Sequence, residues 1–221
     1  MLPFYTVRHN SFQNHGLPWI DLIQKGLQSD GLCPKCKGTR DRPAGELQVS
    51  LEQKKAKHWP DVLGCGAYPL LILSSRVLEA WRTEAVGVFP TNRVTFYSPL
   101  PRGLEDSEPP AYYWLDGGNM LGARMDFDAS GFVDVRFCLT CGRRTDNIPA
   151  TYERQHSRKS PYAFVPETWT GQNLFTTDIS PTAFFCTERV VGCARKHQFT
   201  NFRFVPVKED AAAGNLGVAY M

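Results

Sequence analysis

Cys33-Pro34-Lys35-Cys36-Lys37-Gly38 and, far along the chain, Cys138-Leu139-Thr140-Cys141-Gly142 are the stretches on which the reading of this sequence turns. A Cys-x-x-Cys turn lets both sulfurs of one tight hairpin face the same ion, which is half of a tetrahedral site. Two such halves supply four thiolates, the complement of a closed structural Zn²⁺ site at about 2.3 Å per Zn–S bond. The same turns can serve as redox dithiols or as small buried apolar groups, because free cysteine packs well in cores. Pro34 stiffens the first loop and Gly142 follows the second, where a backbone curling round a metal turns through positive φ, so metal is favoured. The expected ligands are Cys33, Cys36, Cys138 and Cys141, sharing one ion. Residues 37–137 lie between the halves, so zinc here is a staple between distant parts of the chain and not a self-contained finger.

The 221 residues, 42% hydrophobic and 21% charged, are those of an ordinary globular protein with room for a sizeable core. No window approaches the ~20 apolar residues of a membrane span. The N-terminus Met1-Leu2-Pro3-Phe4-Tyr5 runs into Arg8 and His9 without an apolar stretch, so no secretory signal is expected and a reducing cytoplasm is the expected compartment. Net charge is +3 and the charges are interspersed. A nucleic-acid binder more often gathers its cations in one stripe. The nearest such run, Arg154 to Lys159, reads equally as a solvated loop.

Along the chain, Phe4 to Val7 reads as a short strand, and Leu17, Ile20, Ile23 and Leu27 have helix-like spacing. Glu46 to Leu51 alternates like a half-exposed strand. Tyr68 to Leu73 is an apolar strand ending at Ser74 and Ser75, good helix N-caps. The helix that follows presents Val77, Leu78, Trp81 and Ala85 on one face and is expected to stop at Gly87, before a strand from Thr91. Ala183 to Val191 and Thr200 to Val205 repeat this order, including the Arg-Val step, which recurs 113 residues on (189 − 76). The Cys turns are 105 residues apart (138 − 33), so each half reads as Cys turn, strand, capped helix, strand. Ser98 to Pro110 is a connector, Tyr112 to Leu115 an aromatic strand, and Phe132 to Phe137 an alternating strand delivering Cys138. The segment 209–221 reads as a fraying tail.

The expected fold is mixed α/β (α+β): a single domain over 1–208 made of two similar strand–helix–strand halves, about 1–110 and 111–208, with antiparallel-rich sheets tied by a zinc-ribbon-like four-cysteine site. Cys186 and Cys193 are expected in the core, and Cys65 between two glycines has no evident role. The histidines are scattered, and neither a His-x-Glu before Pro-Cys-x-x-Cys nor a nucleophile elbow occurs, which disfavours an enzyme. His156, Glu153 and Asp146 can be assembled into an acid–base site on paper, with surface polarity the plainer reading. Trp59, Trp114 and Trp169 near loops are candidates for a protein-binding surface.

With the Cys turns, Pro69-Leu70-Leu71 before Ser75-Arg76-Val77-Leu78, Met125-Asp126-Phe127 to Arg136-Phe137-Cys138, and Phe184-Phe185-Cys186-Thr187-Glu188 to Thr200-Asn201-Phe202 in this order, the chain resembles the double-CXXCG motif proteins of myxobacteria. That group includes Sit-type immunity proteins, and the likeness runs over about residues 1–208. The resemblance implies a cytoplasmic immunity protein that neutralises a cognate polymorphic toxin delivered by sibling cells, with no chemistry of its own. The family's motifs fall on Cys33 and Cys36 and on Cys138, Cys141 and Gly142. The first copy departs from the pattern, with Lys37 where the motif has Gly. The alternative is a zinc-ribbon nucleic-acid-binding protein, for which affinity would fall steeply with salt.

Overall fold

The computed structural model describes residues 3–10, 16–37, 39–65, 70–97, 99–130, 134–142, 163–178 and 180–207. These residues form twelve strands and two α-helices, so helix and strand are mixed with strand predominating. The strands are β1 (Phe4–His9), β2 (Trp19–Leu32), β3 (Thr39–Leu51), β4 (Val62–Cys65), β5 (Ile72–Ser74), β6 (Thr91–Phe96), β7 (Tyr112–Leu115), β8 (Leu121–Met125), β9 (Phe164–Val165), β10 (Leu174–Thr177), β11 (Ser180–Thr187) and β12 (Phe202–Val207). Helix α1 (Ser75–Thr83) joins β5 to β6, and α2 (Glu188–Lys196) joins β11 to β12.

The strands divide into a closed barrel, in the order β2-β3-β6-β7-β5-β4, and a six-stranded sheet, β12-β1-β11-β10-β8-β9. Started from β6, the barrel runs β6-β7-β5-β4-β2-β3, and it matches the sheet position by position in pairing sense. The pairs are antiparallel except at β2/β4 and β8/β10, which occupy the same place, and at β3/β6, which closes the barrel. The central partner of each strand–helix–strand unit comes from elsewhere in the chain. β7 lies between β5 and β6, and β1 lies between β11 and β12.

Alternation along the strands divides the apolar residues between cores. Ile72, Tyr112 and Trp114 enter the barrel with Ile20, Leu47, Val49 and Leu63. Leu73 and Leu115 point the other way, into a shared core with Trp81, Leu174, Phe184, Cys186 and Val190, contributed by both helices and both sheets. The far face of the second sheet is closed by Phe4, Phe175 and Phe185. Each helix buries one stripe, Val77, Ala80 and Trp81 on α1 and Val190, Val191, Cys193 and Ala194 on α2. Each ends in the same way. Ala85 and Gln198 take positive φ, and the next N–H reaches back to Trp81 O and Ala194 O respectively, a Schellman closure without glycine. The helix therefore stops at Thr83, short of Gly87, and Ala85 lies beyond it rather than on its buried face.

Two expectations are corrected. The stretch from Leu17 to Leu27 is no helix: from Trp19 on it belongs to β2, whose register on β3 shifts at Ile20/Leu22, Ile23/Lys25 and Lys25/Leu27. The bulge at Ile20/Leu22 inserts a residue into β2, so the inward-facing Ile20 and Ile23 stand three apart, as they would on a helix, whereas at Lys25/Leu27 the extra residues lie on β3. Gly26 sits in the disturbed stretch with φ +95°, where a Cβ would lie 2.4 Å from Glu46 O. The second correction is at Phe132 to Phe137. Residues 132–133 lie outside the described residues, Asp134 to Arg136 are irregular with Asp134 at φ 52°, and only Phe137 makes a bridge. The left-handed turn at Asp134 keeps the chain from running as a strand through that residue.

Candidate metal centre

The four cysteines singled out in the sequence come together. Cys33 and Cys36 sit in the turn of the β2–β3 hairpin of the barrel, and Cys138 and Cys141 in the connection between β8 and β9 of the second sheet. Phe137 reaches the turn in edge contact with Phe127 at 6.1 Å between ring centres, which anchors the approach to Cys138. All four Sγ atoms lie within 4.8 Å of one another, with Cys33–Cys138 at 3.8 Å and Cys36–Cys141 at 3.7 Å. A regular tetrahedron with metal–sulfur bonds of about 2.3 Å has edges of about 3.8 Å. The two short edges have that length, and all are far beyond a disulfide bond. The donor set therefore fits a metal ion held equally by the two assemblies.

The two turns have the same backbone. Lys37 N–H donates to Cys33 O at 2.9 Å, and Gly142 N–H to Cys138 O at 2.7 Å. Lys37 has φ 56° and Gly142 φ 67°. Lys37 thus adopts the left-handed turn that glycine makes at the second site, at the steric cost a side chain incurs there. Backbone N–H groups of Cys141 and Thr140 turned toward Cys138, helped by the neighbouring thiols, pull its thiol down to about 6. The N–H groups of Cys36 and Lys35 act likewise on Cys33 and lower it. Amide dipoles favour thiolate, the ligand form.

The other cysteines sit apart. Cys65 on β4 faces the barrel core, and Cys186 and Cys193 lie in the shared core, with both thiols pushed up chiefly by burial. Trp59, Trp114 and Trp169 are tied into the fold through their indole N–H, to Ser107 Oγ, Gly45 O and Gln172 O. The basic run 154–159 and the trio Asp146, Glu153 and His156 lie outside the described residues.

Sequence reasoning missed the polar joint between the assemblies. Asp61, just before β4, accepts from Ser74 Oγ and Arg76 Nη1 and, through Oδ2, from Thr200 N–H at 2.8 Å. Arg76 Nη2 also donates to His197 O at 2.5 Å, and Arg189 Nη2 donates to Glu84 O at 3.0 Å. The Arg of each Arg-Val step therefore caps the C-terminus of the other helix, where carbonyls are unpaired and a cation is favoured. The repeated Arg-Val step was the signal that could have found it. No described helix is long and apolar enough to cross a membrane. No family model matches the chain, and no curated protein matches it.

Proposed function

We propose that this chain is a cytoplasmic immunity protein that binds and neutralises a cognate protein toxin from sibling cells without catalysis, its two assemblies stapled by a structural Zn²⁺ on Cys33, Cys36, Cys138 and Cys141. The observation that carries the reading is the convergence of the two Cys turns, the motif through which the chain resembles the double-CXXCG proteins, on one four-sulfur cluster. Four thiolates fill a tetrahedron and leave no position for substrate, which suits a structural ion. Softness and geometry of the donor set favour zinc.

The matched strand orders and the reciprocal Arg76 and Arg189 caps support descent of both assemblies from one duplicated unit. In that reading a unit begins at β1 or β7, and each lends its leading strand to the other's sheet. The zinc site then joins equivalent cysteines, Cys33 to Cys138 and Cys36 to Cys141.

The test is genetic and biochemical together. Deleting the gene in the producing bacterium should make the cells die in contact with the parent strain, and tagged protein should retain one polypeptide at a one-to-one ratio. Unharmed deletion cells, or salt-sensitive retention of DNA or RNA in place of a protein, would overturn the reading.

A further inference from the structure

We propose that the cleft beside the start of α1 binds a carboxylate borne on an apolar body. The inference uses the correspondence of the two assemblies and does not depend on the immunity reading. In the second assembly Glu188, the first residue of α2, holds its carboxylate between two donors. Tyr5 Oη donates to one oxygen, and Arg195 Nη1 donates to the other at 3.1 Å. Tyr5 stands on β1 opposite Cys186, and Arg195 lies two turns along α2.

Both donors have counterparts in the first assembly. Tyr113 stands on β7 opposite Leu73, which holds on β5 the place that Cys186 holds on β11. Arg82 has on α1 the place of Arg195 on α2. The counterpart of Glu188 is Ser75, uncharged and too short to reach either. In place of the internal carboxylate, the first assembly has an open cleft of about 420 Å³, bordered by Ser75, Arg82 and Tyr113 and by the apolar Leu78, Trp81 and Phe89. That volume is in the range of small-ligand sites.

The donors are available. The Arg82 guanidinium and the Tyr113 hydroxyl have no hydrogen-bond or ion-pair partner among the described residues. An arginine fork and a phenol together recognise a carboxylate by charge-assisted hydrogen bonds, and Glu188 shows this pair holding one. The aromatic wall supplies the place for an apolar body. Glu79 is the one acidic side chain in the wall, and Glu79→Gln should tighten binding by removing its repulsion.

A free small acid and an acidic side chain of a polypeptide present the same group, and two probes separate them. Full-length protein labelled with ¹⁵N is titrated with phenylacetate and with a capped Phe-Glu dipeptide amide, each against its carboxamide counterpart. Saturable amide shifts at Ser75, Arg82, Gly87 and Tyr113 are expected with at least one acid, about tenfold weaker for the matching amide and for Arg82→Ala, the loss of one charge-assisted hydrogen bond. Response to phenylacetate alone assigns a small acid, and response to the dipeptide alone assigns a polypeptide's side chain. Ser75→Glu restores the internal carboxylate and should abolish binding with the rest of the spectrum intact. No shifts with either acid at millimolar concentration, equal binding of the amides, or unchanged affinity in Ser75→Glu would overturn the site.

Discussion

Replacing Asp61 by alanine should cost about 2–3 kcal/mol of stability. The carboxylate is 7% exposed and is the shared acceptor of Ser74 Oγ at 3.2 Å, Arg76 Nη1 at 2.8 Å, Thr200 N–H at 2.8 Å and Thr200 Oγ1 at 3.1 Å. Arg76 is half exposed, so its ion pair is screened and contributes little when lost. The cost comes from the donors left behind: the buried Ser74 hydroxyl loses its acceptor, at about 1–3 kcal/mol for an unsatisfied buried group, while the N–H and hydroxyl of Thr200, an exposed residue, turn to water and add less. Asp61→Asn keeps one acceptor oxygen and the same volume. The second assembly carries asparagine at the equivalent place, where Asn173 Oδ1 accepts from Thr187 Oγ1 and Nδ2 donates to Val86 O. That variant should therefore lose only about 1–2 kcal/mol. Equilibrium urea unfolding of both variants in excess metal, followed by tryptophan fluorescence, gives the comparison. An alanine cost below about 1 kcal/mol, or equal costs for the two variants, would refute the reasoning that this joint holds barrel to sheet.

Three further expectations follow from the cysteine turns and from the pairing of β1 and β7. Lys37→Gly relieves a side chain held at φ 56° and should raise the stability of the metal-loaded protein by about 0.5 kcal/mol, whereas Gly142→Ala should lower it by about 1–2 kcal/mol, both read from thermal melts. Because the backbone N–H groups of its turn hold the folded Cys138 thiol down to about 6, against 9.0 for an ordinary thiol, its contribution to the stability of the metal-free protein should be complete above pH 9 and be lost as pH falls through 6. Chelator-treated protein melted across this range should show the slope, and Cys138→Ser should flatten it. Fragments 1–110 and 111–208 each lack a strand of the sheet they would build, since β1 completes one and β7 the other. Expressed alone they should be insoluble and expressed together they should copurify, as gel filtration of the soluble fraction can decide.

What could be read in the sequence and what could not divides along locality. The strand–helix–strand units were legible because β5–α1 and β11–α2 each place a hydroxyl-bearing N-cap between an apolar run and an apolar helical stripe. The hydroxyl reads correctly as a boundary but does not cap by its side chain: Ser74 donates to Asp61 and Thr187 to Asn173. The cysteines were legible because Cys-x-x-Cys spacing is a local requirement of metal binding. β2 was illegible because its bulges give a strand the period of a helix, and they leave Leu22 and Leu27 half exposed. Barrel closure rests on the parallel pairs β2/β4 and β3/β6, set by distant partners with no local signature. The placement of β1 and β7 is of the same kind. Each reads as a short apolar strand, and nothing in either says which sheet receives it. The open cleft of the first assembly was hidden because Arg82 and Tyr113 are ordinary surface residues until their counterparts around Glu188 are seen.

The central claim is that one metal ion ties the two assemblies through equivalent cysteines, and elemental analysis of protein purified without chelator tests it most directly. The account predicts one zinc per chain in the parent and almost none in either Cys33→Ser or Cys138→Ser, because either change removes a ligand of the same ion. Two zinc ions per chain, none, or retention of the metal in one variant and not the other would contradict a shared four-thiolate site.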